Sequence, residues 1–243
     1  HDLMEMRTSG KMADTTGSTD ELYLFMATQV TKPIIAAVNG ICLAQGAGVA
    51  LGADIRVASE TVQFGWPQAK RGISSISGPV ILGQRIPIGK ALEILLTGDF
   101  INATEALELG LINHVVPPSE LMSKTMEIAM KILDNAPLAV RGMKAATLRG
   151  MDKPLTERLE IATQIYDGLQ DTADAKEGLT AFLEKRDSVF RGNGGVVGCI
   201  VLGRGHSRSS VRSQPNANRC LSRAQTRLAP LRSLPAGRGV ANR

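Results

Sequence analysis

Long apolar runs, aromatic rings, cysteines and histidines are all scarce in this 243-residue chain, and each scarcity removes a class of function. No stretch approaches the ~18 consecutive apolar residues of a membrane-spanning helix, so no membrane partner is expected. No signal peptide is visible; the chain opens on His1, which leaves a presequence open. Aromatics make up 3% of the residues, so aliphatic side chains and alanine have to fill the interior. The three cysteines, Cys42, Cys199 and Cys220, have neither metal-ligand spacing nor the pattern of a disulfide framework. Cys42 sits in an apolar, glycine-rich stretch and reads as a small buried hydrophobe. No metal cluster and no Ser/His/Asp arrangement can be assembled. His114, inside the apolar LINHVV, reads as an ordinary surface residue.

Acidic residues are missing from one end. Positions 194–243 contain nine arginines, no lysine, no Asp or Glu and no aromatic, which leaves 19 basic and 23 acidic residues, a net charge of −4, for positions 1–193. The overall charge of +5 therefore belongs to the tail. Arginine among Ser, Ala, Gly and Pro, with no sustained period, is what a GC-rich gene yields out of frame, and the tail is expected to be disordered. An arm for RNA or a membrane surface is the functional alternative, but such arms carry aromatics, lysines or a helical face. No nucleic-acid partner is expected.

What is present is enough chain for a sizeable core. A polar stretch, RTSGKMADTTGSTDE, precedes a short amphipathic helix ELYLFMATQV. KPIIAAVNG reads as a strand started by Pro33, where a missing N–H is tolerated. IRVASE, VQFG and LINHVV read as further strands, the last stopped by Pro117 and Pro118. GKALEILLT reads as a helix with Leu92, Leu95 and Leu96 on one side. Asn102 and Glu105 have capping-box spacing before a short helix that Gly110 ends. SELMSKTMEIAMKILDN carries Leu121, Ile128 and Ile132 at helical spacing. Pro137 and Pro154 punctuate the next stretch, and AKEGLTAFLEKRDSVF reads as the last helix. Strands alternating with helices point to an α/β fold. The expected division is a core over 1–118, a helical region over 119–191 and a tail over 192–243.

The most informative segment is KPIIAAVNGICLAQGAGVALGAD, Lys32 to Asp54: a strand, a glycine turn and the start of a buried helix. The first N–H groups of a helix lack intrahelical partners and suit a developing negative charge. A glycine turn that only packs a helix against a strand is the alternative. QFGWPQAKRGI, Gln63 to Ile73, stands where a partner loop is expected. Lys70 and Arg71 could orient a carboxylate or be solvated. Ser74, Ser75 and Ser77 could bond a ligand or belong to a polar loop.

With HDLMEM at the start, LTGDFINATEALELGLINHVVP in the middle and EGLTAFLEKRDSVF near residue 190, these segments resemble, in order, the enoyl-CoA hydratase/isomerase (crotonase) superfamily, and among it the enoyl-CoA hydratase domain-containing branch. The resemblance implies a crotonase-like ββα spiral core followed by a C-terminal helical region, lacking the family's first strands and helix. Lost strands would expose sheet edges, so poor folding is expected. It implies acyl-CoA thioesters as ligands in fatty-acid or acyl-CoA metabolism, coenzyme A entering only with the substrate and no separate cofactor. It implies a homotrimer or hexamer for the full-length protein, cytoplasmic in a bacterium and mitochondrial in a eukaryote.

Residue by residue, the resemblance puts the oxyanion-binding N–H groups at His1 and Gln45. It puts coenzyme contacts at Asp2, Leu3, Phe182 and Lys185, with helix packing as the alternative for Phe182 and a solvated face for Lys185. Asp54, at the end of the glycine-turn helix, is expected to be structural. The positions where the family's hydratases hold two glutamates are Gly48 and Gln68. Gly48 has no side chain and an amide exchanges no proton near neutral pH, so efficient hydration is not expected. Isomerisation, thioester hydrolysis, weak hydration, acyl-CoA binding without catalysis and a structural role in an oligomer remain open.

Overall fold

The computed structural model describes Met26 and residues 29–192. Residues 21–25, 27 and 28 of the expected helix ELYLFMATQV, the site residues His1, Asp2 and Leu3, and the Arg-rich tail lie outside the described residues; Met26 is helical, whereas Gln29 and Val30 are not.

IAAV, Ile35–Val38, forms β1 and is buried throughout, as an all-apolar run in a parallel sheet should be. Gly40 turns the chain at φ 75° into β2, Ile41–Leu43, and then into α1, Gln45–Gly52. The next stretch repeats the arrangement: β3 is Ile55–Ser59, β4 is Gln63–Gly65, a 3-10 turn covers Ala69–Arg71 and α2 covers Ser77–Arg85. The first strands of successive repeats pair in parallel, Ile35 opposite Ile55, and so do the second strands, Cys42 opposite Phe64. Each ββα unit thus stacks on the one before as a turn of a spiral. β5, Phe100–Asn102, closes the second sheet antiparallel to β4. β6, His114–Val116, extends the first in the order β1-β3-β6.

Between the strands run α3, Ile88–Thr97, and α4, Ala103–Glu108. Asn102 caps α4 by accepting the Glu105 N–H at 3.0 Å, as the capping spacing predicts. β1 divides its side chains by the period of two. Ala36 and Val38 join the main core with Phe64, Trp66 and Ile81, whereas Ile35 and Ala37 meet Leu121 and Ala129 of α5, Leu121–Leu133. The C-terminal helices are α6, Pro137–Gly150, α7, Leu155–Asp167, and α8, Ala173–Glu184. Pro137 opens α6 and Pro154 precedes α7, positions where the missing N–H costs nothing. α6 and α7 pack as a pair at Gly142, where a Cβ would stand 3.0 Å from Ile165. Among the described residues no helix is long and apolar enough to cross a membrane.

One local expectation, the extent of the last helix, needs correction, and two further elements gain detail. In α3, Ala91 and Ile94 are the buried residues, while Leu92, Leu95 and Leu96 lie on one side and line a cavity, Leu95 also packing against the core. SGPVILGQR is helical, because Gly78 and Pro79 fall in its first turn, where N–H groups have no intrahelical acceptor. The last helix stops at Glu184, since Lys185 takes a left-handed φ of 54°.

Beyond Lys185 the chain doubles back along α8. The Arg186 guanidinium meets Glu177 at 2.6 and 2.9 Å and the Val189 N–H reaches the same carboxylate at 2.8 Å. The amides of Arg191 and Gly192 both donate to the buried Asp174. Hydrogen bonds from Arg186 and then from Val189 hold the Glu177 carboxyl down at about 2. A carboxyl depressed in the folded state contributes stability above its unfolded pKa of ~4.3 and loses it as pH falls toward the folded value. The Val189 amide resonance is therefore expected to titrate on acidification with a midpoint near 2. A midpoint at the ordinary glutamate value would show that this strap does not form.

Candidate functional site

The N-cap residue of α1, Ala44, makes no side-chain cap hydrogen bond, and no acidic residue occupies the first turn. Ala44 has φ 53° and ψ −120°, a conformation that costs a non-glycine residue about 1–3 kcal/mol and persists only where its surroundings enforce it. They do so here: the Ala44 N–H donates to Gly65 O at 2.8 Å, and its carbonyl accepts the Gly48 N–H at 3.0 Å. The turn is thereby tied to β4, and through β4 to the loop Trp66–Ile73. Gln45 is the first residue of α1, so its backbone N–H lies at the end of the helix where N–H groups point outward from the ladder, and a helix N-terminus favours negative charge.

Gly48 lies one turn further in and is buried. A Cβ there would fall 2.6 Å from Ser77 Cβ and 2.8 Å from Ser77 Oγ. The space that a side chain at 48 would need is taken by Ser77. The sequence left Ser77 open between a ligand contact and a polar loop; it is 6% exposed at the start of α2. The spacing of Ser75 and Gly78 was the available signal, since Ser75 Oγ accepts the Gly78 N–H at 3.3 Å in the manner of a helix cap.

The partner loop turns on Trp66 and Gln68. Trp66 is buried against Gly78, where a Cβ would come within 2.7 Å of its ring. Gln68 precedes the 3-10 turn, its carbonyl accepting the N–H groups of Arg71 at 2.9 Å and Ile73 at 3.2 Å. Its side-chain Oε1 is buried and has no hydrogen-bond partner. Gln68 lines a cavity of about 290 Å³ together with Trp66, Ile73, Leu92, Leu95 and Leu96. An apolar hollow with one unsatisfied acceptor is a ligand-type environment.

The remaining side chains hold the frame. Lys70 pairs with Asp99 at 2.6 Å, which keeps the Asp99 carboxyl below the usual range, and Arg71 donates to Pro67 O at 3.1 Å. Asp54 accepts from the Ile34 N–H and from Lys144, each at 2.7 Å, the structural role its position suggested. Burial pushes the Cys42 thiol up to about 12, so it is inert as a nucleophile. His114 is half-buried in β6.

Gln45, Gly48 and the loop of Gln68 are thus brought together by the turn and by Ser77 and Trp66. Phe182 and Lys185 are not brought to them: they lie on α8 and at its cap, and α8 does not pack against α1. Phe182 is 79% exposed, so packing within its own chain does not account for it, and Lys185 is exposed.

The enoyl-CoA hydratase/isomerase family model matches residues 1–193. A short-chain-enoyl-CoA hydratase of Clostridium acetobutylicum is 42% identical over 156 residues, covering 64% of this chain and 60% of that protein. An (E)-benzylidenesuccinyl-CoA hydratase of Thauera aromatica is 41% identical over 162 residues, covering 66% and 63%. The chain spans less than two thirds of the length of these curated relatives. Among solved structures, an enoyl-CoA hydratase from Bacillus anthracis superposes with a TM-score of 0.72 at 36% identity, covering 79% of this chain and 75% of that one.

Proposed function

This chain belongs to the enoyl-CoA hydratase/isomerase family, and from that premise we propose that it binds acyl-CoA thioesters, with the thioester oxygen at the N-terminus of α1. The observation that carries the reading is the held turn at Ala44, which keeps the Gln45 N–H at the start of the helix despite the strain. A preorganised backbone donor of this kind is worth roughly 2.7–4 kcal/mol to a developing oxyanion. The His1 N–H is the second donor, with Asp2 and Leu3 beside the coenzyme. The cavity below Gln68 takes the acyl group; its apolar walls and small volume suit a short chain.

The absence of an ionisable side chain at 48 and 68 favours a second reading within the same site, acyl-CoA binding without turnover. It leaves isomerisation or thioester hydrolysis as the candidate chemistry if there is any. A homo-oligomer, trimer or hexamer, is part of the proposal. α7 buries none of its residues, and Leu155, Leu159, Tyr166, Leu179, Phe182 and Leu183 present exposed apolar surface along α7 and α8. Such surface marks an interaction face. In the oligomer Phe182 and Lys185 would hold the coenzyme.

Calorimetry with butyryl-CoA and with free coenzyme A, on a sample whose mass is measured by sedimentation, tests the reading. The acyl thioester is expected to bind more tightly than the free thiol, in particles of several 25.8 kDa chains. Equal affinity for the two ligands would remove the oxyanion and acyl subsites from the proposal, and a monomer would remove the oligomer.

A further inference from the structure

We propose that Ser77 is a positioning residue for the oxyanion donor, a role that rests on the assignment of the Gln45 N–H to the thioester oxygen. The Ala44 carbonyl and the Gln45 N–H are the two ends of one peptide group, so whatever fixes the carbonyl aims the N–H. Ser77 Oγ lies 3.4 Å from Ala44 O, donating to it, and accepts from Trp66 Nε1 at 3.4 Å. The three groups form a relay: indole N–H to hydroxyl, hydroxyl to carbonyl, and on through the peptide to the donor. Chains of this kind polarise one another, and each bond strengthens the next where water is excluded. Trp66 is 1% exposed and Ser77 6%.

Ala44 gives the relay its purpose. With φ 53° and ψ −120°, the strain would be relieved by rotating the 44–45 peptide plane, and that rotation would carry the Gln45 N–H away from the helix axis. The Gly48 N–H already holds the Ala44 carbonyl from within α1; Ser77 adds a second anchor from a different element, in the direction the helix cannot supply. Gly48 is the condition for it. Because a Cβ at 48 would stand 2.6 Å from Ser77 Cβ, any side chain there would push Ser77 off the carbonyl. The residue type that leaves position 48 without an acid is the one that lets a hydroxyl reach the donor peptide.

Infrared spectra of butyryl-CoA labelled with ¹³C at the thioester carbonyl test this on the intact chain. In the wild-type protein the bound carbonyl band is expected at lower frequency than in water. In Ser77→Ala that displacement is expected to be roughly halved as the donor's polarisation and aim relax, and the melting temperature is expected to fall by a few degrees because the buried Trp66 N–H loses its acceptor. Trp66→Phe keeps an aromatic ring, though a smaller one, and removes the N–H donor; it is expected to give an intermediate band. An equal displacement in wild type and Ser77→Ala overturns the role of Ser77 and leaves the oxyanion assignment standing. A bound carbonyl with no displacement in the wild type overturns both.

Discussion

Crotonyl-CoA mixed with this protein is expected to lose its conjugated thioester absorbance on the order of 10⁴-fold or more slowly than with a two-carboxylate hydratase assayed beside it, because each acid–base group supplies ~10²–10⁴-fold. Hydration needs one group to activate water and another to protonate C2, and in the proposed site the two positions are held by Gly48 and Gln68. A held peptide donor lowers the cost of the enolate but moves no proton. Reinstating the acids is a structural problem as well as a chemical one. Gln68→Glu changes one atom of a side chain already lining the cavity. Gly48→Glu collides with Ser77, and overpacking of that kind costs typically 1–3 kcal/mol. The single variant is therefore expected to be less stable and no faster. Gly48→Glu with Ser77→Gly and Gln68→Glu removes the colliding Cβ but also the hydroxyl that holds the donor peptide, and is expected to gain ~10²-fold over the wild type, short of what two acid–base groups supply together. Wild-type turnover matching the reference hydratase would show that neither position limits the reaction.

The family and the order of the elements are legible in the sequence because their signals are local. β1 is a buried apolar run, Asn102 and Glu105 meet as a capping pair, and Pro137 and Pro154 stand at helix starts. What could not be read was set by distant contacts. The leucine stripe of α3 has the right period for a core face, yet the small Ala91 and the branched Ile94 take that place, because period alone does not say which side meets the sheet. β2 and β5 are three residues each, too short to show alternation, and exist because β4 lies between them.

The candidate site divides in the same way. Gln45, Gly48 and Gln68 could be singled out from the glycine turn and the loop beyond it. Ser77 could be named only as one of three serines open to either role, since its contact with the donor peptide depends on a residue 29 positions earlier having no Cβ. Only the spiral, which stacks the second repeat on the first, brings the two together. The strap after Lys185 was equally hidden: the chain there reads as helix, and Asp174 and Glu177 draw it back by accepting its amides.

Asp54→Ala is expected to lower the unfolding free energy by about 3 kcal/mol, the low end of the range for breaking a buried ion pair. Asp54 follows α1 and opens toward β3; its Oδ2 accepts the Ile34 N–H and Lys144 Nζ, each at 2.7 Å, the second contact spanning 90 residues of chain. Lys144 Nζ also donates to Lys32 O at 2.9 Å, so one ammonium fastens α6 to the strand that leads into the glycine turn. The Lys144 side chain is 10% exposed and that of Asp54 is 23%, and a cavity of about 400 Å³ adjoins both. Water entering there relieves part of the desolvation, which places the cost at the lower end. Asp54→Ala strands the ammonium with a single carbonyl, whereas Asp54→Ala with Lys144→Met removes the stranded charge. Replacing both members of a buried pair is far cheaper than removing one, so the double variant is expected to recover about 2 kcal/mol, the rest being lost with the Ile34 N–H acceptor. Urea unfolding of Asp54→Ala, Lys144→Met and the double variant measures the coupling; strictly additive losses would mean that the pair contributes as two independent surface charges.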